Sequence, residues 1–191
     1  MIKKALLLAS LFAVAGLAQA QSATYAIDPT HTYATFEMKH FGTSTNRGRF
    51  DKKEGTVQLD KAAKTGKVEI TIDMNSIDTG FSKFDSHLKS AEIFDSAKFP
   101  TAKFVGTKFN FTGDKVASID GELTLKGKTG PVTLKAVNFN CYESPMLNKR
   151  EVCGGDFETT FDRTAFGADY GVAYGFPKDV KVVIQVEAIK Q

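Results

Sequence analysis

Three histidines, His31, His40 and His87, are the side chains of this 191-residue chain best suited to proton transfer or metal ligation near neutral pH. No two of them stand two or four residues apart, and no H-E-x-x-H or Cys/His cluster is present, so neither a metal nor a cofactor is expected. In Asp28-Pro29-Thr30-His31 a carboxylate lies three residues ahead of an imidazole, which would make an acid-base dyad. The same four residues also fit an Asx-type turn at a strand entrance, with the imidazole held by hydrogen bonds. A hydrolase would need a nucleophile beside that dyad, and the chain has no G-x-S-x-G motif and no Ser partnered with a base. Hydrolysis through Asp28 and His31 is therefore the third of three readings. Cys141 and Cys153 are the only cysteines, spaced for a twelve-residue step and not as C-x-x-C, so in an oxidising compartment they read as a disulfide.

The compartment follows from the first 20 residues. Lys3 and Lys4 precede an apolar run from Ala5 to Ala18, and Ala18-Gln19-Ala20 supplies a small-residue cleavage site, so residues 1–20 read as a secretory signal peptide. The apolar run is too short to span a bilayer, which takes about 20 residues, and no later stretch approaches that length. A periplasmic, secreted protein without an integral membrane segment is expected. Removing Lys3 and Lys4 leaves 23 basic against 22 acidic side chains, a net charge of +1. That balance offers nothing to nucleic acid. Residues 21–191 read as one domain, long enough to bury roughly 70% of its unfolded surface. Fifteen of the sixteen phenylalanines lie in it.

The elements that must position these groups are mostly strands. Ala34, Phe36, Met38 and His40 alternate with Tyr33, Thr35, Glu37 and Lys39, and Val68, Ile70, Ile72 and Met74 alternate with charged and hydroxyl residues. Leu123 with Leu125, Phe157 with Phe161, and Val180 through Ala188 continue the pattern, whereas residues 42–50 read as turn-rich. A change of apolar parity between Leu134 and the pair Val137 and Phe139 predicts a bulge or a face switch. One stretch departs from period two: Phe81, Phe84, Leu88 and Ala91 share a helical face, which predicts one short helix over residues 82–95, opened by a Ser82/Asp85 capping box and ended by Phe99-Pro100. Eight or nine evenly spaced strands with a single helix make the chain all-β, an antiparallel barrel or sandwich.

Several widely spaced motifs then resemble the YceI family. They are Tyr25-Ala26-Ile27-Asp28-Pro29-Thr30-His31-Thr32, Lys39-His40-Phe41-Gly42, Arg47-Gly48-Arg49-Phe50, Asp85-Ser86-His87-Leu88, Gly121-Glu122-Leu123-Thr124-Leu125 and Arg163-Thr164-Ala165-Phe166-Gly167. The resemblance implies an antiparallel, eight- or nine-stranded lipocalin-like barrel that binds polyisoprenoid or similar amphiphilic lipids in the periplasm, with no established catalysis. Tyr25 stands where the family often has Trp, and Phe84 where an Arg before Asp-x-His-Leu is common.

Together these readings place the inward rows Phe36, Met38, Ile70, Ile72, Met74, Leu123, Leu125, Phe157 and Phe161 around a lipid tail, with Phe84 and Leu88 closing the pocket. His40 and His87, helped by Lys39, would orient the polar head. The alternative is a solid-core structural or interaction module of the cell envelope, because a filled barrel and a hollow one share the same strand pattern.

Overall fold

The computed structural model describes residues 22–191, so the signal peptide expected over residues 1–20 lies outside the described residues. Six strands precede the helix: β1 (Ala23–Ile27), β2 (Tyr33–His40), β3 (Ser44–Phe50), β4 (Lys53–Asp60), β5 (Thr65–Asp73) and the two-residue β6 (Ile77–Asp78). After α1 (Ser82–Lys89) come β7 (Thr101–Thr112), β8 (Lys115–Leu125), β9 (Lys128–Ala136), β10 (Asn140–Glu143), β11 (Glu151–Asp162) and β12 (Asp179–Lys190). Neighbours pair antiparallel in the order β11-β9-β8-β7-β5-β4-β1-β12, and β12 returns to β11 from Val152↔Ile189 to Asp162↔Asp179. That ring is a closed eight-stranded barrel, the all-β antiparallel architecture expected. Closure leaves these strands no free edge.

Both β1 and β2 pair with β12 on the edge that β11 does not occupy: β1 opposite residues 188–190 and β2 opposite residues 181–185. The chain therefore travels from one end of the barrel to the other in two pieces joined by the Asp28–Thr32 turn. β3 and β6 extend the wall beyond β2, and β10 pairs with β11. The end carrying the start of β1 and the end of β12 is the base, where the Gln191 N–H donates to the Thr24 carbonyl at 2.9 Å. α1 and the connection between β11 and β12 lie at the other end.

Two irregularities bend the wall. Gly106 faces Gly121 across β7 and β8, where a Cβ on Gly121 would stand 2.4 Å from the Val105 carbonyl oxygen, and the register slips between Gly106 and Lys108. A β-bulge with its small residues lets the two strands approach and curl. After β9 the N–H groups of Val137 and Asn138 both donate to the Asp156 carbonyl, at 2.8 and 3.4 Å. This is the expected parity change, with one correction: Val137 is turned out and 65% exposed, and only Phe139 returns to the interior.

The helix is shorter than its apolar spacing suggested, ending at Lys89 instead of residue 95. The Ser90 N–H closes a tight turn on the His87 carbonyl and Asp95 takes a positive φ of 48°, so the stretch from 90 to 99 proceeds by turns. Ala91 falls outside the helix, and Phe81, the residue flanking its start, is 60% exposed. Ser82 does not cap it. Asp85 instead reaches back to the backbone N–H and hydroxyl of Thr79, at 2.8 and 2.6 Å, and anchors the first turn to the chain leaving β6. Leu88 packs with Phe36 and Ile77, which seats α1 against the barrel wall.

The stretch expected to be turn-rich, residues 42–50, contains β3. It pairs with β2 from Ala34↔Phe50 to His40↔Ser44, and Gly48 lies opposite Phe36.

Candidate functional site

The inward rows do not meet at the barrel axis. They enclose a cavity of about 520 Å³ whose lining is almost wholly apolar. Its walls carry Phe36 and Met38 from β2, Ile70 and Ile72 from β5, Leu123 and Leu125 from β8, Phe157 and Phe161 from β11, and Val180, Val182, Ile184, Val186 and Ala188 from β12. Period-two alternation is what turns every second residue of these strands inward. Met74, just beyond β5, and Phe84, His87 and Leu88 from α1 complete one side. His40, last in β2, also lines the space. All the residues named for a lipid tail therefore border one cavity.

Lys39 does not. Alternation sends it to the face opposite Met38 and His40, where it is exposed, so it is not part of the lining. The two histidines border the connection between β11 and β12. The His40 ring stands 5.2 Å from Phe176 and 4.9 Å from Phe41, both edge-on, while His87 lies 5.1 Å from Tyr170 and its Nδ1 is 3.9 Å from a Glu92 oxygen. Tyr174 borders the cavity while 75% exposed, so the cavity meets solvent at this end. The mouth segment turns on Gly171 and Gly175, at φ of 81° and 95°, conformations that a Cβ disfavours.

The base is sealed. Tyr25, 1% exposed, packs with Ile27, Leu59, Cys153 and Ala188, and its hydroxyl donates to Glu151, whose other oxygen accepts from Lys61 at 2.6 Å. Burial, followed by the Glu151 contact, pushes the Tyr25 phenol far above its ordinary range, so it remains a donor. Burial alone would raise the Glu151 carboxyl, but the hydrogen bonds from Lys61 and Tyr25 prevail and lower it. Sequence reading did not single out this polar seal, because Tyr25 and Glu151 are 126 positions apart.

Arg163 was likewise not singled out as a site residue. It follows β11 directly, lines the cavity and is only 7% exposed. Its Nε donates to the Pro177 carbonyl at 3.0 Å and its Nη1 to the Ala168 carbonyl, so it grips both ends of the mouth segment; Nη2 has no partner among the described residues. Burial pushes the guanidinium below its ordinary value, with Asp169 and Asp162 opposing that shift.

Asp28 and His31 lie outside the cavity. Asp28 Oδ1 accepts from the Thr30 N–H at 2.9 Å and the Thr30 hydroxyl at 2.6 Å, and Oδ2 meets His31 Nδ1 at 2.8 Å. This is an Asx turn bridging β1 and β2. Burial works against ionisation of Asp28, yet the hydrogen bonds from Thr30 and His31 bring its carboxyl down to about 2. The imidazole is exposed and raised, first by its hydrogen bond to Asp28 and then by that group's charge. Cys141 and Cys153, directly opposite in β10 and β11 with Cα atoms 4.1 Å apart, form the expected disulfide. Their sulfurs approach Glu151 closely enough to suggest a metal trio, but disulfide sulfur supplies no thiolate.

An eight-stranded barrel sealed at its base, apolar within and open at a helix-flanked mouth defines a lipocalin-like protein with a single-ligand type of cavity. Residues 25–188 match the YceI-like domain, and the chain belongs to the YceI-like family. It is 37% identical over 199 residues to a UPF0312 protein of Pseudomonas aeruginosa, covering 100% of both chains. It is also 37% identical over 187 residues to Protein YceI of Salmonella heidelberg, covering 96% of this chain and 95% of that one. Among solved structures, Burkholderia cenocepacia BcnA superposes with a TM-score of 0.66 at 21% identity, over 84% of this chain and 98% of its own. A polyisoprenoid binding domain from Saccharophagus degradans superposes with a TM-score of 0.61 at 13% identity, over 90% of this chain and 100% of that one. These two likenesses establish the shared fold.

Proposed function

We propose that the protein is a secreted, non-catalytic carrier for an amphiphilic isoprenoid or similar long-chain lipid, with the tail in the barrel and the head at the mouth. The observation that carries this reading is the apolar cavity of about 520 Å³, well inside the range of roughly 300 to 1,000 Å³ typical of small-molecule sites. A solid-core module would have filled that space with its own side chains. Burying ten methylene-like groups is worth about 8 kcal/mol, enough for micromolar binding before ordering costs. Family membership supports a binding role, and the polyisoprenoid-binding neighbour supports this class of ligand. Periplasmic location rests on the leader together with the family, and residues 21–191 act as one lipid-binding domain.

Protein purified from its own host, then subjected to native mass spectrometry and lipid extraction, is expected to retain one long-chain amphiphile per barrel. Recovery of empty protein that also fails to take up any prenyl or acyl chain would sink the carrier reading.

A further inference from the structure

Two permanent cations border the cavity, Lys53 of β4, whose Nζ donates to the Asp51 carbonyl at 3.2 Å, and Arg163, the more deeply buried of the two. Arg163 is more than nine-tenths buried and forms no salt bridge with any described carboxylate. Asp162, its neighbour in the chain, is engaged by the N–H and hydroxyl of Thr164 instead. Two guanidinium nitrogens are occupied by neutral backbone carbonyls, and the third, Nη2, is buried without a hydrogen bond to any described residue. One physical demand is thus unmet, a donor without an acceptor, and a second is met only in part: Asp169 and Asp162 act on the positive charge from a distance, but neither pairs with it in the low-dielectric wall. A neutral hydroxyl or carbonyl on a ligand would answer only the first of these. An oxyanion answers both, and a guanidinium offers the donor geometry that carboxylate and phosphate favour.

We propose that Arg163 receives the terminal oxyanion, a carboxylate or a phosphate, of the amphiphile held in the cavity, so that this carrier selects anionic lipids over neutral ones of the same chain. The assignment rests on the carrier reading above. It also gives the mouth a coupling: the side chain that meets the head is the one holding Ala168 and Pro177, so a bound anion strengthens the grip on the segment that lies over the opening. His40 and His87 border the same opening from β2 and α1, with Glu92 beside His87, and Asn46 and Lys53 also line the cavity.

Calorimetric titration of the mature protein with palmitate, hexadecyl phosphate and hexadecanol tests this at neutral pH. At least one anion is expected to bind about tenfold or more tightly than the alcohol, the order expected for one charge-assisted hydrogen bond. The larger margin of the two identifies carboxylate or phosphate as the head. Arg163→Met should erase the margin, bringing anion and alcohol to similar affinity within the variant; a margin that survives the substitution overturns the assignment. Equal affinity for all three ligands overturns it too and leaves the carrier reading standing, whereas failure of all three to bind counts against both. Should Arg163→Met not fold, palmitate labelled at the carboxyl carbon decides the matter in the unaltered protein by carbon NMR. A bound carboxyl that titrates below its ordinary range supports a facing guanidinium, and one displaced upward, as in an apolar wall without a cation, overturns it.

Discussion

At the scale of single residues, the polar groups divide by where they put their charge. Asp28 and His31 sit at the strand break outside the barrel, and their effect is on stability with a definite sign. The folded His31 titrates above the ordinary histidine value of about 6.5, so its contribution is complete below that pH and disappears as pH rises through the folded value. The folded Asp28 titrates at about 2, so its share persists down to mild acid and is lost only as pH falls through that value. Urea unfolding of the natural protein and of His31→Gln should therefore differ most at pH 5 to 6 and converge above pH 8. A gap that widens with alkalinity would contradict the dyad's structural role. Turnover lost in His31→Gln without loss of stability would restore the hydrolase reading.

At the scale of elements, what could be read in advance was what alternation controls. β2, β5 and β12 present apolar side chains at every second position, so both their existence and their inward residues followed from the sequence. Residues 42–50 read as turns because the inward positions of β3 are Asn46, Gly48 and Phe50, only one of them apolar. The glycine is imposed by a distant neighbour, since a Cβ there would lie 2.5 Å from the Phe36 ring. The extent of α1 failed for the opposite reason, as apolar spacing continued to Ala91 after the backbone had left the helix. Arg163 and Tyr25 went unremarked as site residues because their burial is a tertiary property. The β10–β11 hairpin carries its own prediction. Replacing Cys141 and Cys153 together with Ser should lower unfolding free energy by about 3 kcal/mol, read from the urea midpoint, as expected for releasing a loop of this length. An unchanged midpoint would show that strand pairing alone holds the hairpin.

At the scale of the whole molecule, the decisive property is that the ring closes around space. Eight strands bring opposing walls near enough for side chains to fill the interior, yet here the inward rows stop short and leave a channel that ends at Tyr25. Val182, the fourth residue of β12, faces that channel. Val182→Trp should occupy the lumen, and the variant is expected to keep the β-sheet signature in circular dichroism while losing at least about tenfold in affinity for long-chain ligands, since a blocked apolar site forfeits burial of several carbons. Undiminished lipid uptake by a folded Val182→Trp protein would place the ligand elsewhere. The two ends of the described chain meet at the base. Thr24 and Gln191 are hydrogen-bonded side by side at the sealed pole, so the described chain enters and leaves the barrel at the end opposite the mouth. A fluorophore or surface tether attached at Thr24 or Gln191 would stand at that pole, away from the aperture, and uptake of long-chain ligands could be followed on molecules held with the portal facing solution.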